Sequence, residues 1–134
     1  MPEPRQVDLT TLQRHDHRGW SLNPILASGL AASAIGNLHV VSIKPGTARG
    51  NHVHREATEW LLVFGGAATI IWRSPTQPTP RKLHLDGERP RLFEIPPKVE
   101  HSILNESKED MYLVAFYDQP DPATDSCPTL VKKD

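Results

Sequence analysis

The sequence is poor in three features that particular protein classes need. It holds one cysteine among 134 residues, which excludes an internal disulfide framework and a zinc site made of thiolates alone. It has no apolar run approaching the roughly 20 residues that span a bilayer, so we expect no membrane partner. The 15 Lys+Arg and 16 Asp+Glu nearly cancel, which argues against nucleic-acid binding, since such proteins usually present a strongly basic face.

The length of the chain and its first residues indicate how many domains it has and where it is located. A chain of 134 residues is the size of one domain, and its start lacks the charged-then-apolar plan of a secretory signal. We therefore expect a single cytoplasmic domain over residues 1–134. Residues 1–20 would form an N-terminal arm or edge strand, and residues 118–134, which include Cys127, a surface tail.

Proline is abundant and disfavours long helices. The 13 prolines are nearly twice the average usage of about 5%, and each proline inside a helix costs about 3 kcal/mol. Between the prolines and glycines lie short runs rich in β-branched and aromatic residues, which are typical of strands. The runs predicted as strands are Leu38–Lys44, Thr58–Phe64, Ala67–Arg73, Arg81–Leu85, Arg91–Ile95, His101–Asn105 and Met111–Tyr117. The pattern predicts an all-β fold of the sandwich, barrel or jelly-roll type.

Two adjacent glycines, Gly65 and Gly66, separate the strands predicted at Thr58–Phe64 and Ala67–Arg73. A glycine pair between two strands is typical of a β-hairpin. We therefore expect these two strands to pair with each other. The proline-rich segment Ser74–Pro80 that follows predicts a loop.

The segment Gly46–Gly66 carries residues suited to metal binding. His52 and His54 are two residues apart, and alternate side chains of a strand point to the same face. Two imidazoles on one face can chelate a single ion. Glu59 follows at an odd separation, so it can join them only if residues 55–58 bend the chain and Glu59 opens the next strand.

His101 supplies a further imidazole after the strand break at Pro96 and Pro97. With the residues above it gives three nitrogens and one carboxylate oxygen, a set that suits one divalent transition metal such as zinc, iron, manganese or nickel. Calcium sites, built from oxygen ligands, look different. The other histidines, His15, His17, His39 and His84, do not have the company of a matching glutamate and a further histidine, and we expect to find them away from the site.

These two segments resemble the motifs of the cupin family. The first cupin motif places Gly, His-x-His, Glu and Gly at fixed spacing, and it is matched at every position by Gly46, His52, His54, Glu59 and Gly66. The second motif is matched in part, by Pro96, His101 and Asn105, whereas Pro90 and Lys98 stand where glycine is usual. Together the two motifs span about residues 45–117, which is most of the chain.

The resemblance implies a fold and a ligand set. The fold is the cupin-type double-stranded β-helix, a small jelly-roll barrel. The implied metal ligands, pointing into the barrel, are His52, His54, Glu59 and His101. The departure at Lys98 concerns the shape of the turn before the last ligand more than the ligand itself.

Shorter segments are similar to one group of cupins. Lys44–Gly46 and Arg49–His54 resemble the cupin domain attached to capsular-polysaccharide sugar-nucleotide reductases, and Asp16–Gly19 (Asp-His-Arg-Gly) is similar to a motif that those cupins share with nucleotide-sugar epimerases and keto-isomerases. The sequence has no Gly-x-Gly-x-x-Gly, so we expect no dinucleotide-binding domain within these residues. The resemblance implies a small-molecule substrate, a nucleotide-linked keto-sugar, that a metal-dependent cupin isomerises or epimerises.

Two alternatives stay open at this point. The same ligands could serve an iron or nickel dioxygenase, because four protein ligands leave open positions on a six-coordinate metal. The domain could also be a non-catalytic cupin that binds a sugar or stabilises a partner. No catalytic base beyond the ligands stands out in the sequence, which keeps this second alternative in view.

The catalytic candidates are Glu59, Arg49 and Tyr112. Arg49 precedes the His52–His54 pair by three residues and could bind an anionic substrate. Tyr112 and Tyr117 lie at odd separation on the last predicted strand, so one of them points inward, and either could act as a general acid. Ser102, Asn105 and backbone carbonyls are the groups expected to orient the ligating imidazoles.

The strand that carries Glu59 also predicts an association. If Glu59 points inward, alternation sends Trp60, Leu62 and Phe64 to the outer face. Three large apolar side chains there need a cover, which either the N-terminal arm or a second subunit would provide. We expect a homodimer with Trp60 near its interface.

Overall fold

The computed structural model describes residues 3–120 and 124–126. This part of the chain contains twelve β-strands and one short α-helix, α1 at Pro24–Ser28. No helix in it has the length and apolar character that a membrane crossing needs. The strands are β1 (Arg5–Gln6), β2 (Gln13–Asp16), β3 (Gly19–Leu22), β4 (Asn37–Ile43), β5 (Ala48–His54), β6 (Glu59–Phe64), β7 (Ala68–Arg73), β8 (Arg81–Leu85), β9 (Arg91–Ile95), β10 (Glu100–Asn105), β11 (Met111–Tyr117) and β12 (Thr124–Ser126).

The strands form two five-stranded antiparallel sheets and a separate hairpin. The first sheet has the order β1-β9-β6-β11-β4 and the second the order β12-β5-β10-β7-β8, while β2 pairs with β3. Side chains from both sheets meet in one apolar core, where Leu61 and Phe93 of the first sheet join Ile70 and Ile103 of the second. This arrangement is the cupin-type jelly-roll barrel, so the predicted fold class is confirmed.

Gly65 and Gly66 carry the chain from one sheet to the other. β6 pairs with β9 and β11, whereas β7 pairs with β10 and β8, so the predicted hairpin between β6 and β7 is wrong. A two-residue type I′ hairpin needs positive φ at both turn positions, and of these two glycines Gly65 alone has it, at 104°. Gly66 is needed for packing instead, because a Cβ there would lie 2.5 Å from Ser107 Oγ.

Both ends of the described chain add strands to the sheets. Arg5–Gln6 pairs with β9 at the edge of the first sheet. Thr124–Ser126 pairs with β5 at the edge of the second sheet, where the sequence predicts a surface tail. An edge strand presents unpaired backbone groups, and β12 satisfies some of those of β5. Cys127 lies outside the described residues.

The N-terminal segment covers the outer face of the first sheet. Trp60 and Leu62 of β6 pack there against Phe116 of β11, and the Trp60 and Phe116 ring centroids are 5.8 Å apart. Val7 and Leu9 complete this second core. Trp60 is only 6% exposed, because the chain's own N-terminal segment covers it. Its position near a subunit interface stays a prediction. The homodimer itself stays a prediction, which a sedimentation mass will test.

Candidate functional site

Four side chains from three strands converge inside the barrel. His52 and His54 alternate on β5 and therefore share one face. Residues 55–58 turn the chain toward the other sheet, where Glu59 opens β6. His101 on β10 pairs with His52 on β5. The potential ligand atoms of these four residues all lie within 4.8 Å of one another, so the structure brings together the residues that the sequence predicts as metal ligands.

Glu59 lies at the centre of this cluster. Its Oε1 is 2.7 Å from His101 Nε2, 3.2 Å from His54 Nε2 and 4.0 Å from His52 Nε2. Burial raises the pKa of Glu59, but the charge of His101 and the hydrogen bonds from His101 and His54 outweigh it and hold that pKa well below its usual range. Burial likewise lowers the pKa of His101, and the Glu59 carboxylate more than offsets this, so that the pKa is raised. The site therefore keeps an ionised carboxylate that attracts positive charge.

Two of the histidines, His101 and His52, have nitrogens that could bind a metal ion. His101 Nδ1 lies 3.0 Å from the Val99 carbonyl oxygen and donates its hydrogen to it, which leaves Nε2 facing the other ligands. His52 Nε2 is buried and has no hydrogen-bond partner among the described residues. Leaving a buried polar atom unsatisfied costs about 1–3 kcal/mol, and a bound cation would remove that cost. The residues present thus fit a divalent transition metal.

The Val99 carbonyl orients one imidazole, that of His101, as expected of a backbone carbonyl. Ser102 and Asn105 have different partners. Ser102 Oγ donates to the Arg49 carbonyl over 3.1 Å, and Asn105 Nδ2 donates to the Ile43 carbonyl over 2.8 Å. Both side chains are fully buried. Their hydrogen bonds stabilise the backbone around the site and do not orient the ligating imidazoles.

A cavity of about 640 Å³ includes His52, Glu59 and His101 in its wall. This volume falls within the range of roughly 300–1,000 Å³ that is usual for small-molecule sites. Away from the cluster, the polar side chains in its wall are His39, Ser42, Lys44, Thr47, Arg49, Asn51 and Tyr117. Arg49 is placed here as predicted, and its Nε donates to the Ser42 carbonyl over 3.2 Å.

The tyrosine of the cavity is Tyr117, and the choice of Tyr112 as a catalytic candidate is wrong. Leu113, Ala115 and Tyr117 alternate along β11 on the cavity side. Tyr112 lies on the other face, where it is 39% exposed and its ring centroid is 5.8 Å from that of Phe64. The odd separation of the two tyrosines correctly indicates that one points inward, but the position of the strand relative to the core decides which.

Tyr117 contacts the ligand cluster directly. Its hydroxyl is 3.5 Å from Glu59 Oε2 and its ring centroid is 5.0 Å from that of His54. Burial raises the pKa of Tyr117, and the neighbouring Glu59 carboxylate raises it further. The side chain therefore remains a protonated phenol at neutral pH and can donate a proton.

His39 is a cavity residue that the spacing of the histidines does not reveal. It lines the cavity, and its ring stacks on Tyr117 with centroids 5.6 Å apart and an interplanar angle of 24°. The expectation that His39 lies away from the site is wrong. The signal that could have found it is strand alternation, because Val41 and Ile43 on the same strand pack into the inner core and His39 continues their face.

The turn before His101 keeps a glycine-type conformation without a glycine. Lys98, which stands where the cupin motif has Gly, has a φ of 71°. Its N–H donates to the His54 carbonyl over 2.7 Å, which ties the turn to the ligand strand. The left-handed region costs a residue with a Cβ roughly 1–2 kcal/mol. The sequence departure therefore leaves the turn in place at a cost in stability.

Replacing Lys98 with glycine is expected to stabilise the protein. Lys98→Gly relieves the left-handed strain, and the larger unfolded-state entropy of glycine offsets part of the gain. We expect the free energy of unfolding to rise by about 0.5–1 kcal/mol, measured by urea titration. Lys98→Ala, which shortens the side chain but keeps the Cβ, should show no such gain, and an equal gain in both variants would contradict the explanation.

A protein-family model described as the polysaccharide biosynthesis C-terminal domain matches residues 14–124. The chain belongs to this family. The matched region contains every residue of the ligand cluster and of the cavity wall. It also contains Asp16–Gly19 and Arg49–His54, the segments that resemble the cupin domain of the sugar-nucleotide reductases.

Two longer proteins contain a segment similar to this family member. A UDP-2-acetamido-2,6-beta-L-arabino-hexul-4-ose reductase of Pseudomonas aeruginosa is 28% identical over 96 residues, which cover 69% of this chain and 26% of the reductase. The crystal structure of the capsular polysaccharide assembling protein CapF from Staphylococcus aureus is 26% identical with a TM-score of 0.63, and the match covers 70% of this chain and 27% of CapF. The matches thus span about a quarter of the length of these relatives.

Another solved structure, of a protein shorter than the two relatives above, matches nearly the whole chain. The dTDP sugar isomerase from Desulfovibrio desulfuricans G20 has a TM-score of 0.69 at 17% identity, and the match covers 95% of this chain and 82% of the isomerase. At this identity the likeness concerns the fold alone. It supports the two-sheet barrel described above.

Proposed function

We propose that this member of the polysaccharide biosynthesis family is a metal-dependent cupin that isomerises or epimerises a nucleotide-linked keto-sugar. The observation that carries the proposal is the convergence of His52, His54, Glu59 and His101. Three of them, His52, Glu59 and His101, line a cavity of about 640 Å³. The similar proteins named above, a reductase of a UDP-linked hexulose and a dTDP sugar isomerase, support a sugar nucleotide as the substrate.

The four ligands would hold one zinc, iron, manganese or nickel ion. When bound, such an ion polarises a carbonyl oxygen and stabilises the negative charge that develops on it. The chain provides a preformed site for this purpose. His54, Glu59 and His101 are buried, and the Val99 carbonyl fixes the orientation of the His101 ring, so little reorganisation is needed when a substrate binds.

The cations in the cavity wall suit the anionic part of a sugar nucleotide. Lys44 and Arg49 both line the cavity and are exposed. The Nε of Arg49 is held by the Ser42 carbonyl, which leaves the terminal nitrogens of the guanidinium for phosphate oxygens. Arginine binds such oxygens in a planar, bidentate geometry. A diphosphate at these residues would leave the sugar ring in the inner part of the cavity.

Tyr117 is suited to donate a proton to the sugar. Its phenol remains protonated because of its burial and the neighbouring Glu59 carboxylate. It lies beside both His54 and Glu59, so its hydroxyl is close to where a carbonyl near the ligand cluster would lie. A general acid at this position supports the formation of an enediol from a ketone.

Arg49→Ala is expected to weaken substrate binding. Hydrogen bonds to charged groups contribute about 1.5–3 kcal/mol, so KM for the nucleotide-linked substrate should rise about 10- to 100-fold with a smaller change in kcat. Lys82→Ala is the matched control, because it removes one positive charge on β8, outside the cavity. Steady-state kinetics separate the two variants. Equal KM values for Arg49→Ala and the native protein would remove Arg49 from the proposed site.

A second candidate function is a non-catalytic sugar-binding or partner-stabilising cupin. The observation that favours it is that the chain corresponds to about a quarter of its longer relatives, in which the segment belongs to a larger protein. Binding of a sugar nucleotide without turnover would support this alternative. The dioxygenase alternative uses the same ligands, and oxygen consumption by the iron- or nickel-loaded protein separates it from the other two.

Deuterium exchange tests the proposed reaction. The metal-loaded protein is incubated in D₂O with a panel of UDP- and dTDP-linked 4-keto-6-deoxyhexoses and followed by NMR. We expect deuterium on a carbon next to the carbonyl, together with an isomerised or epimerised product. The protein stripped by a chelator should show neither and should recover both when metal is added. Absence of exchange with every substrate and each of the four metals would refute the proposal.

A further inference from the structure

The proposed reaction needs a base that the metal ligands do not supply. A proton must leave the carbon next to the carbonyl, and the acceptor has to be a side chain that is free and neutral. A bound ion engages the nitrogens and the carboxylate of the cluster. Arginine stays cationic and a tyrosine is ordinarily a protonated phenol at neutral pH, so neither Arg49 nor Tyr117 serves as this acceptor.

His39 has the position that such a base requires. Its ring lines the cavity and stacks on Tyr117 at 5.6 Å. Tyr117 in turn lies 5.0 Å from the His54 ring. The ring of Tyr117, which contacts both, therefore lies between His39 and the ligand cluster. A sugar whose carbonyl faces the cluster and Tyr117 would present the neighbouring carbons toward His39.

The other described histidines outside the cluster do not have this position. His15 lies on the exposed hairpin strand β2, and His17 in the turn that follows it. His84 on β8 hydrogen-bonds Thr69 over 2.6 Å, and neither residue lines the cavity. His39 is exposed at its position on β4, so it can exchange a proton with solvent between turnovers. Histidine is also the side chain whose charge ordinarily changes between pH 5 and 8.

We propose that His39 is the general base of this cavity, an inference that rests on the proposed function and specifies its reaction. A nitrogen of neutral His39 takes the proton from the carbon beside the carbonyl. The electron pair of that C–H bond forms a C=C bond, the carbonyl π pair moves onto oxygen, and the Tyr117 phenol protonates this oxygen to give an enediol.

The reaction closes without any other reactant. His39 returns its proton to the former carbonyl carbon, and the adjacent hydroxyl gives its proton back to the Tyr117 oxygen as the new carbonyl forms. One base serving two neighbouring carbons from one side produces a keto-isomer. Epimerisation would need a proton donor on the opposite face of the sugar. The geometry therefore favours isomerisation over epimerisation.

Two substitutions test the role of His39 in the metal-loaded protein. His39→Ala removes the imidazole and leaves space, whereas His39→Phe removes the nitrogens and keeps an aromatic ring on Tyr117. We expect both variants to retain one metal ion per chain and to exchange deuterium into a dTDP-linked 4-keto-6-deoxyhexose about 10²- to 10⁴-fold more slowly than the native protein. Added imidazole should restore exchange in His39→Ala but not in His39→Phe.

The outcomes separate this inference from the proposed function. Exchange in both variants at the native rate would overturn the role of His39 while leaving the proposed function standing. A loss in His39→Ala that imidazole does not restore would also overturn it and would assign His39 a structural role. Absence of exchange in the native protein with any metal would overturn both. Circular dichroism and metal content establish that each variant is folded and loaded.

Discussion

His101→Ala is expected to yield a protein without bound metal, whereas we expect the native chain to carry one ion. His101 is buried, and its Nε2 lies 2.7 Å from Glu59 Oε1. Changing a group that merely orients a ligand costs about 10–100-fold in metal affinity, so the loss of a ligand should exceed that range. Truncation also leaves the Glu59 carboxylate buried with one partner fewer. Elemental analysis of the purified proteins measures the result.

His84→Ala is the matched control for this experiment. It removes the same imidazole from β8, outside the cavity, where His84 hydrogen-bonds Thr69. We expect this variant to keep its metal. Equal metal content in His84→Ala and His101→Ala would contradict the assignment of the four ligands, whatever the identity of the ion.

Tyr117→Phe is expected to reduce kcat for the proposed isomerisation by about 10²- to 10⁴-fold, the usual contribution of a general acid. The substitution removes the hydroxyl near Glu59 and keeps the ring between His39 and His54. Metal content and fold should therefore be preserved. Steady-state kinetics on a nucleotide-linked keto-sugar, with metal analysis of the same sample, measure the effect.

Tyr112→Phe removes the same hydroxyl from the outer face of β11 and serves as the control. Because Tyr112 is outside the cavity and 39% exposed, we expect kcat to stay close to the native value. If Tyr117→Phe retained native turnover, the phenol would not be the proton donor. If both variants lost activity equally, the distinction between the two faces of β11 would be wrong.

Half of the ligand cluster could be predicted from local geometry. His52 and His54 share a face by strand alternation alone, and the odd spacing to Glu59 required the bend that the structure contains at residues 55–58. His101 followed from its place in the second motif. The turn before His101 is harder to predict, because Lys98 has a positive φ, a conformation that is usual for glycine and rare for lysine.

Features that depend on how the two sheets face each other could not be predicted. The same two glycines, Gly65 and Gly66, can close a hairpin or carry a chain between layers, and local sequence does not distinguish these outcomes. The choice between Tyr112 and Tyr117 depends on which face of β11 meets the core. The cover over Trp60 depends on where a distant N-terminal segment packs. Each of these is decided by long-range contacts.

The proposed function depends on the binding of a single metal ion by three imidazoles and one carboxylate in this cavity. Anomalous X-ray scattering from crystals of the purified protein tests it most directly. We predict one peak, at the absorption edge of the bound metal, about 2.0–2.2 Å from nitrogens of His52, His54 and His101 and from an oxygen of Glu59. A crystal grown with zinc, iron, manganese or nickel that shows no peak among these four side chains would contradict the account.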